Sequence, residues 1–218
     1  VSLAATELIE IIDNIITKCE KIEITTRINN ETRKISSIQI SDDYINGFEN
    51  IHEKGFRNPF NMGHMRNGQD DDNEISQFGV GFKAGAISTG LILTVFTLVN
   101  GIYYRIVMDF DRMRNEEDQN ESYNPEIYTI KKEEFKKKHP FENGSTIILG
   151  EIHNAIYKET TDSDLQDYLE KELSNLFGFI IKRNDIEMHL QHKNSDNKLI
   201  KKLIKPPLSY FDENECRP

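Results

Sequence analysis

The sequence predicts a two-layer α/β sandwich, a mixed and mainly antiparallel sheet with helices over one face. Three observations point there: an amphipathic helix opens the chain, runs of period-two alternation separated by turn residues follow, and a second amphipathic helix comes late. At 218 residues, 37% hydrophobic and 29% charged, the chain is sized for one such core with a polar surface.

The elements follow in order. Leu8, Ile11, Ile12 and Ile15 recur at helical spacing, while Glu10, Asp13, Asn14 and Thr17 fall on another face. Ile22, Ile24, Thr26 and Ile28 alternate as a strand, Asn29-Asn30 brings turn chemistry, and Ile38, Ile40 and Asp42 alternate in a second strand, predicting a hairpin. Over residues 49–77 periodicity is lost and the acidic cluster Asp70, Asp71, Asp72 and Glu74 appears, a long loop of the functional or disordered kind. Gly79, Gly81 and Gly85 then lead through a short helical stretch to Thr89. The β-rich runs 91–99 and 102–110 are joined by Asn100-Gly101, a strong hairpin signal. Residues 112–124 read as an exposed loop, and 127–130 and 146–149 as strands. Ser163 and Gln166 form a capping-box pattern ahead of Leu165, Tyr168, Leu169, Leu173 and Leu176, which predicts a helix ending near Gly178. Ile186, Met188 and Leu190 alternate as a further strand.

Composition removes several classes of function. A net charge of −10 argues against a surface built to track nucleic-acid phosphates, so any anion must be held locally. Cys19 and Cys216 form no C-x-x-C pair, and the six histidines, His52, His64, His189 and His192 among them, show no metal-ligand spacing. The longest apolar run, 91–99, is about half a membrane span, and no signal peptide opens the chain. The expectation is an intracellular protein, cytoplasmic or nuclear, without a membrane partner. A start at Val1 and a stop soon after Pro206-Pro207 suit a piece of something longer.

Four motifs carry chemistry. Glu10 and Asn14 lie at i and i+4 on one helix face with Asp13 beside them, which suits a centre holding both an attacking water and a metal ion; alone, it also fits a solvated face. Asp42 shares a strand face with Ile38 and Ile40, so its carboxylate needs donors, and an exocyclic amine of adenine is one; Gly47 and Phe48 follow where backbone can approach a flat ring. In Gln77-Phe78-Gly79-Val80-Gly81-Phe82-Lys83, glycines leading into a helix expose successive N–H groups as a phosphate cradle that needs no basic surface. Gly144-Ser145-Thr146-Ile147 starts a strand with hydroxyls, Ser145 sharing a face with Ile147 and Leu149.

The order of these motifs resembles the GHKL superfamily of ATPases, that of gyrase, heat-shock chaperones, histidine kinases and MutL, over residues 4–149. The resemblance implies the Bergerat ATP-binding fold, with Glu10 as the base that activates water, Asn14 as the Mg²⁺ ligand, Asp13 in support and Asp42 as the adenine-reading carboxylate. It further implies ATP contacts from Gly47, Phe48, the 77–83 motif with Lys83, Ser145 and Thr146, and an ATP lid in residues 49–77. Within the superfamily, F-G-V-G-F-K-A-G-A-I-S-T-G and the helix-then-strand tail are most similar to the MORC-type ATPases. Residues 1–190 are then the ATP-binding domain, and 191–218 an extension toward a transducer domain. An ATP-dependent homodimer, with DNA or a protein as client, is implied for the full-length protein. Tyr44 stands where the family has glycine, with one extra residue before Gly47. That departure favours the competing reading, a nucleotide-gated switch with negligible hydrolysis; a chaperone-type ATPase is a further alternative. The lysines of 131–138 are interrupted by Glu133 and Glu134 and read as a solvated face.

Overall fold

The computed structural model describes residues 8–9, 11–13, 15–29, 31–32, 34–53, 58–60, 81–115, 125–152, 161–193 and 198–207. An eight-stranded sheet organises them: β1 (Lys21–Ile28), β2 (Ile35–Asp42), β3 (Gly90–Val99), β4 (Ile102–Asp109), β5 (Glu126–Thr129), β6 (Ser145–Ile152), β7 (Glu187–Lys193) and β8 (Leu199–Leu203), in the spatial order β5-β4-β3-β6-β2-β1-β7-β8. Only the β1–β7 pairing is parallel, so the sheet is mixed and mainly antiparallel as expected. The helices are α1 (Gly81–Thr89), α2 (Phe110–Asn115), α3 (Lys132–Lys136) and α4 (Asp162–Asn184), preceded by helical residues within 8–16.

Register explains where the core sits. Ile38, Ile40 and Asp42 pair with Leu149, Ile147 and Ser145, and these with Leu93, Val95 and Thr97, so rows of like side chains cross one face. The aliphatic rows are closed off from water by Leu8, Ile11, Ile12 and Ile16 at the N-terminus and by Leu165, Leu169, Leu173, Phe177 and Ile181 of α4. Each such side chain contributes about 1.5–3 kcal/mol by burial, which is what fixes the register. Of the expected polar face of the first helix, Asp13 is half-buried and Thr17 exposed. The opposite face carries Gln39, Ser41, Thr146 and Ile148, and the five-residue α3 covers its end through Phe135, which is fully buried among exposed lysines.

Both expected hairpins are present, and Asn100 and Gly101 take φ of 51° and 79°, the two left-handed residues that a two-residue turn between twisted strands requires. Three local expectations are corrected. Residues 110–115 are helical rather than loop from 112, because Asp109 Oδ1 accepts the Arg112 N–H (2.9 Å) and Phe110 and Met113 are buried. The cap of α4 is Thr161, whose Oγ1 accepts the Asp164 N–H (3.2 Å), while Gln166 is buried and donates to Thr26 Oγ1 (2.8 Å). The helix passes through Gly178, which is buried inside it, and ends at left-handed Asp185; Leu176 points to solvent instead of the core. Beyond β7 the sheet is extended by β8, which pairs with it antiparallel. Among the described residues no helix is long and apolar enough to cross a membrane.

Candidate nucleotide site

Two of the predicted motifs meet at the end of the sheet where β2 finishes and β6 begins. Asp42 and Ser145 are cross-strand partners, and Thr97 is Ser145's partner on its other side; the three are 2%, 1% and 0% exposed. A polar row at the end of an aliphatic face is costly unless each group is paired. Asp42 Oδ1 accepts the Tyr44 N–H (3.0 Å), the Ser145 backbone N–H also serves the carboxylate, and Ser145 Oγ lies 2.8 Å from Thr97 Oγ1. Burial outweighs these donors and pushes the Asp42 carboxyl up to about 7, with Asp43 adding to the rise.

The turn after β2 folds over this row. Asp43 Oδ1 accepts the N–H groups of Glu20 and Lys21, both at 2.9 Å, tying the turn to the start of β1. Thr97 Oγ1 accepts the Phe48 N–H (2.9 Å). Gly47 is left-handed (φ 58°), and a Cβ there would stand 2.4 Å from Thr97 Oγ1 and 2.5 Å from Leu98 O, so no other residue fits. Gly144 is under the same constraint from the other side: its φ is 107° and a Cβ would fall 1.9 Å from Asp42 O. Glycines thus let backbone close on the Asp42 main chain at 144 and on Thr97 at 47.

Phe48 then joins the second motif to the third. Its ring packs on Phe60 (5.3 Å) and on Phe82 of α1 (5.5 Å), and Phe60 meets Phe82 edge-on at 5.9 Å. This aromatic cluster holds the start of α1 against the turn. Lys83, next along α1, is buried enough for its ammonium to be pushed below its usual range, a setting in which a nearby anion is favoured. Asp13 lies on the N-terminal helical segment, its carboxyl raised by burial. Thr146 points to the other face, where its Oγ1 meets Ser41 Oγ and His139 Nδ1, each at 2.9 Å.

A family model described as histidine kinase-, DNA gyrase B- and HSP90-like ATPase matches residues 1–144. The chain belongs to this family. Its fold bears a second likeness: the crystal structure of the N-terminal domain of a DNA repair protein superposes with a TM-score of 0.52 at 15% identity, over 93% of this chain and 52% of that one. At that identity the likeness is one of fold, and this ATPase-family chain spans about half the length of that structure. A comparison with curated proteins returns no match.

Of the residues expected in the ATPase site, Asp42, Gly47, Phe48, Phe82, Ser145 and, through its backbone, Gly81 gather around the end of the sheet and the start of α1. Glu10, Asn14, Gln77, Phe78, Gly79 and Val80 lie outside the described residues, as do 61–77 of the expected lid with its acidic cluster. Sequence reasoning missed Thr97 and Gly144. A threonine within a β-rich run carries no signal of its own; the G-S-T pattern already contained Gly144, but only the β2–β6 register shows that it abuts Asp42. Among the described residues there is no cluster of three His, Cys, Asp or Glu suited to a metal ion.

Proposed function

We propose that this domain binds ATP with Mg²⁺ and hydrolyses it to ADP and phosphate. The observation that carries the reading is the buried Asp42 carboxylate in a row with Ser145 and Thr97, served by backbone N–H groups of Tyr44 and Ser145. A carboxylate offers about four acceptor positions, and two backbone N–H groups leave capacity for the exocyclic amine of adenine. Gly47 follows in the turn after β2, packed on Thr97 and Leu98 too closely for any side chain. The phosphates then run toward the N-terminus of α1 and the 77–83 motif, with Lys83 as a point charge. Glu10 takes the proton of the in-line water, Asn14 holds Mg²⁺, Asp13 supports it, and residues 49–77 close as the lid. Mg²⁺, when bound, would offset charge that develops as the terminal phosphate leaves, with Asn14 as the residue that would hold it.

In this reading residues 1–190 are the ATP-binding domain, and 191–218 lead toward a transducer domain. ATP binding gates homodimerisation or clamp closure in a longer, MORC-like protein acting on DNA or a protein client inside the cell. The F-G-V-G-F-K-A-G-A-I-S-T-G stretch supports that sub-family.

The test is Mg²⁺-dependent ATP binding and turnover by wild type, Glu10→Ala and Asn14→Ala. Glu10→Ala is expected to bind ATP normally while turnover falls about 10²–10⁴-fold, the usual worth of a general base. Asn14→Ala is expected to lose the metal dependence of binding. Binding without turnover by wild type turns the assignment to a nucleotide-gated switch, and no binding at all overturns it.

A further inference from the structure

We propose that Thr97 is a positioning residue that fixes the donor direction of the Ser145 hydroxyl, and thereby selects adenine over a 6-oxo purine; the inference rests on the ATP-binding reading above. Thr97 Oγ1 sits between two groups. The Phe48 N–H can only donate, so Thr97 Oγ1 accepts there (2.9 Å), and the neighbouring hydroxyl is Ser145 Oγ at 2.8 Å. Thr97 is wholly buried, and a buried hydroxyl hydrogen must find an acceptor. Ser145 Oγ is that acceptor. With one lone pair taken by Thr97, the Ser145 hydrogen is left to point along the row toward its other cross-strand neighbour, Asp42.

The row therefore presents an acceptor, the Asp42 carboxylate, beside a donor, the Ser145 hydroxyl. Adenine offers the complement on its Watson–Crick edge, an exocyclic amine beside the unprotonated ring nitrogen N1, reached directly or through one water. A 6-oxo purine offers the reverse, a carbonyl beside a protonated N1, and meets acceptor with donor in neither place. Thr97 also anchors the turn after β2: its hydroxyl holds the Phe48 backbone and leaves room only for glycine at 47.

The experiment is calorimetric binding of ATP, inosine triphosphate and 1-deaza-ATP, which lacks the N1 acceptor, to the chain as wild type, Thr97→Val and Thr97→Ser. Wild type is expected to bind 1-deaza-ATP about tenfold more weakly than ATP, the worth of one hydrogen bond, and inosine triphosphate more weakly still. Thr97→Val keeps the shape and removes the hydroxyl; it is expected to narrow the ATP to inosine triphosphate ratio and to erase the difference between ATP and 1-deaza-ATP. Thr97→Ser is expected to restore both. A merely structural role weakens all three nucleotides alike, and that result overturns the inference, as does a wild-type ratio in Thr97→Val. Equal wild-type affinity for ATP and 1-deaza-ATP overturns it without any variant while leaving the ATP reading intact. If wild type binds none of the three, both fail.

Discussion

At the scale of single residues, the energetics of the site turn on Asp42. Its environment is apolar first, and the backbone donors from Tyr44 and Ser145 do not bring its carboxyl back down from about 7. In the unfolded chain the same group ionises in the ordinary carboxylate range. Between that range and about pH 7 the folded state holds a proton that the unfolded state has released, so stability falls as pH rises through this window and is level above it. Asp42→Asn removes the charge and keeps the acceptor for Tyr44. Urea unfolding is expected to find Asp42→Asn more stable than wild type at about pH 8, with the advantage shrinking toward about pH 5, where wild type is protonated. ATP binding moves the other way: the amide turns an N–H toward a donor, so Asp42→Asn binds more weakly, and wild-type binding weakens as pH falls below about 7. A variant less stable than wild type at high pH shows instead that the carboxylate is held as a well-solvated anion.

At the scale of elements, α4 is pinned to β1 by a polar contact inside the core: Gln166 Nε2 donates to Thr26 Oγ1 at 2.8 Å, and the Thr26 hydroxyl meets Asp162 Oδ1 at 2.5 Å. Gln166 is 6% exposed, so Gln166→Ala leaves both a cavity and a weakened Thr26, at an expected cost of about 2–3 kcal/mol. Thr161→Ala removes only a solvent-exposed cap and is expected to cost about 1 kcal/mol. Chemical denaturation of the two variants decides the ranking, and the reverse order means that the Gln166–Thr26 contact contributes little to stability. The pair also shows what was legible. Periodicity located α4, both hairpins and the polar row of β2 and β6, because these are local patterns read along one strand or helix. It misassigned Gln166, since a glutamine three residues after a serine has the signature of a cap until Thr26, distant in sequence, is seen opposite it. It stopped the helix at Gly178, where a glycine that packs against the core looks the same in sequence as one that ends a helix. Thr97 was illegible for the same reason: its meaning lies in the pairing of β3 with β6, which no window of sequence contains.

At the scale of the whole molecule, chain order and sheet order diverge. The family match covers residues 1–144, yet β6, which follows it directly, lies between β3 and β2 in the middle of the sheet. Without β6 the described strands of that segment fall into two groups, β5-β4-β3 and β2-β1, with no pairing between them. Each group then bares the aliphatic rows that β6 joins, including Ile40 and Val95, both fully buried against Ile147. Two or three strands without a covered face are marginal in water. A chain ending at residue 144 is therefore expected to show no cooperative thermal unfolding by circular dichroism and no dispersed amide spectrum, although it contains nearly all the motifs of the site. A chain ending at residue 193 loses edge strand β8 and the buried Ile204, whose N–H donates to Met188 O, but keeps β6 and α4. It is expected to fold with a stability lower by about 2–4 kcal/mol, on the scale of one buried aliphatic side chain and an edge pairing. Cooperative folding of the shorter chain overturns this account, because it means that the motif-bearing segment closes its own core and that the late strands are additions to it.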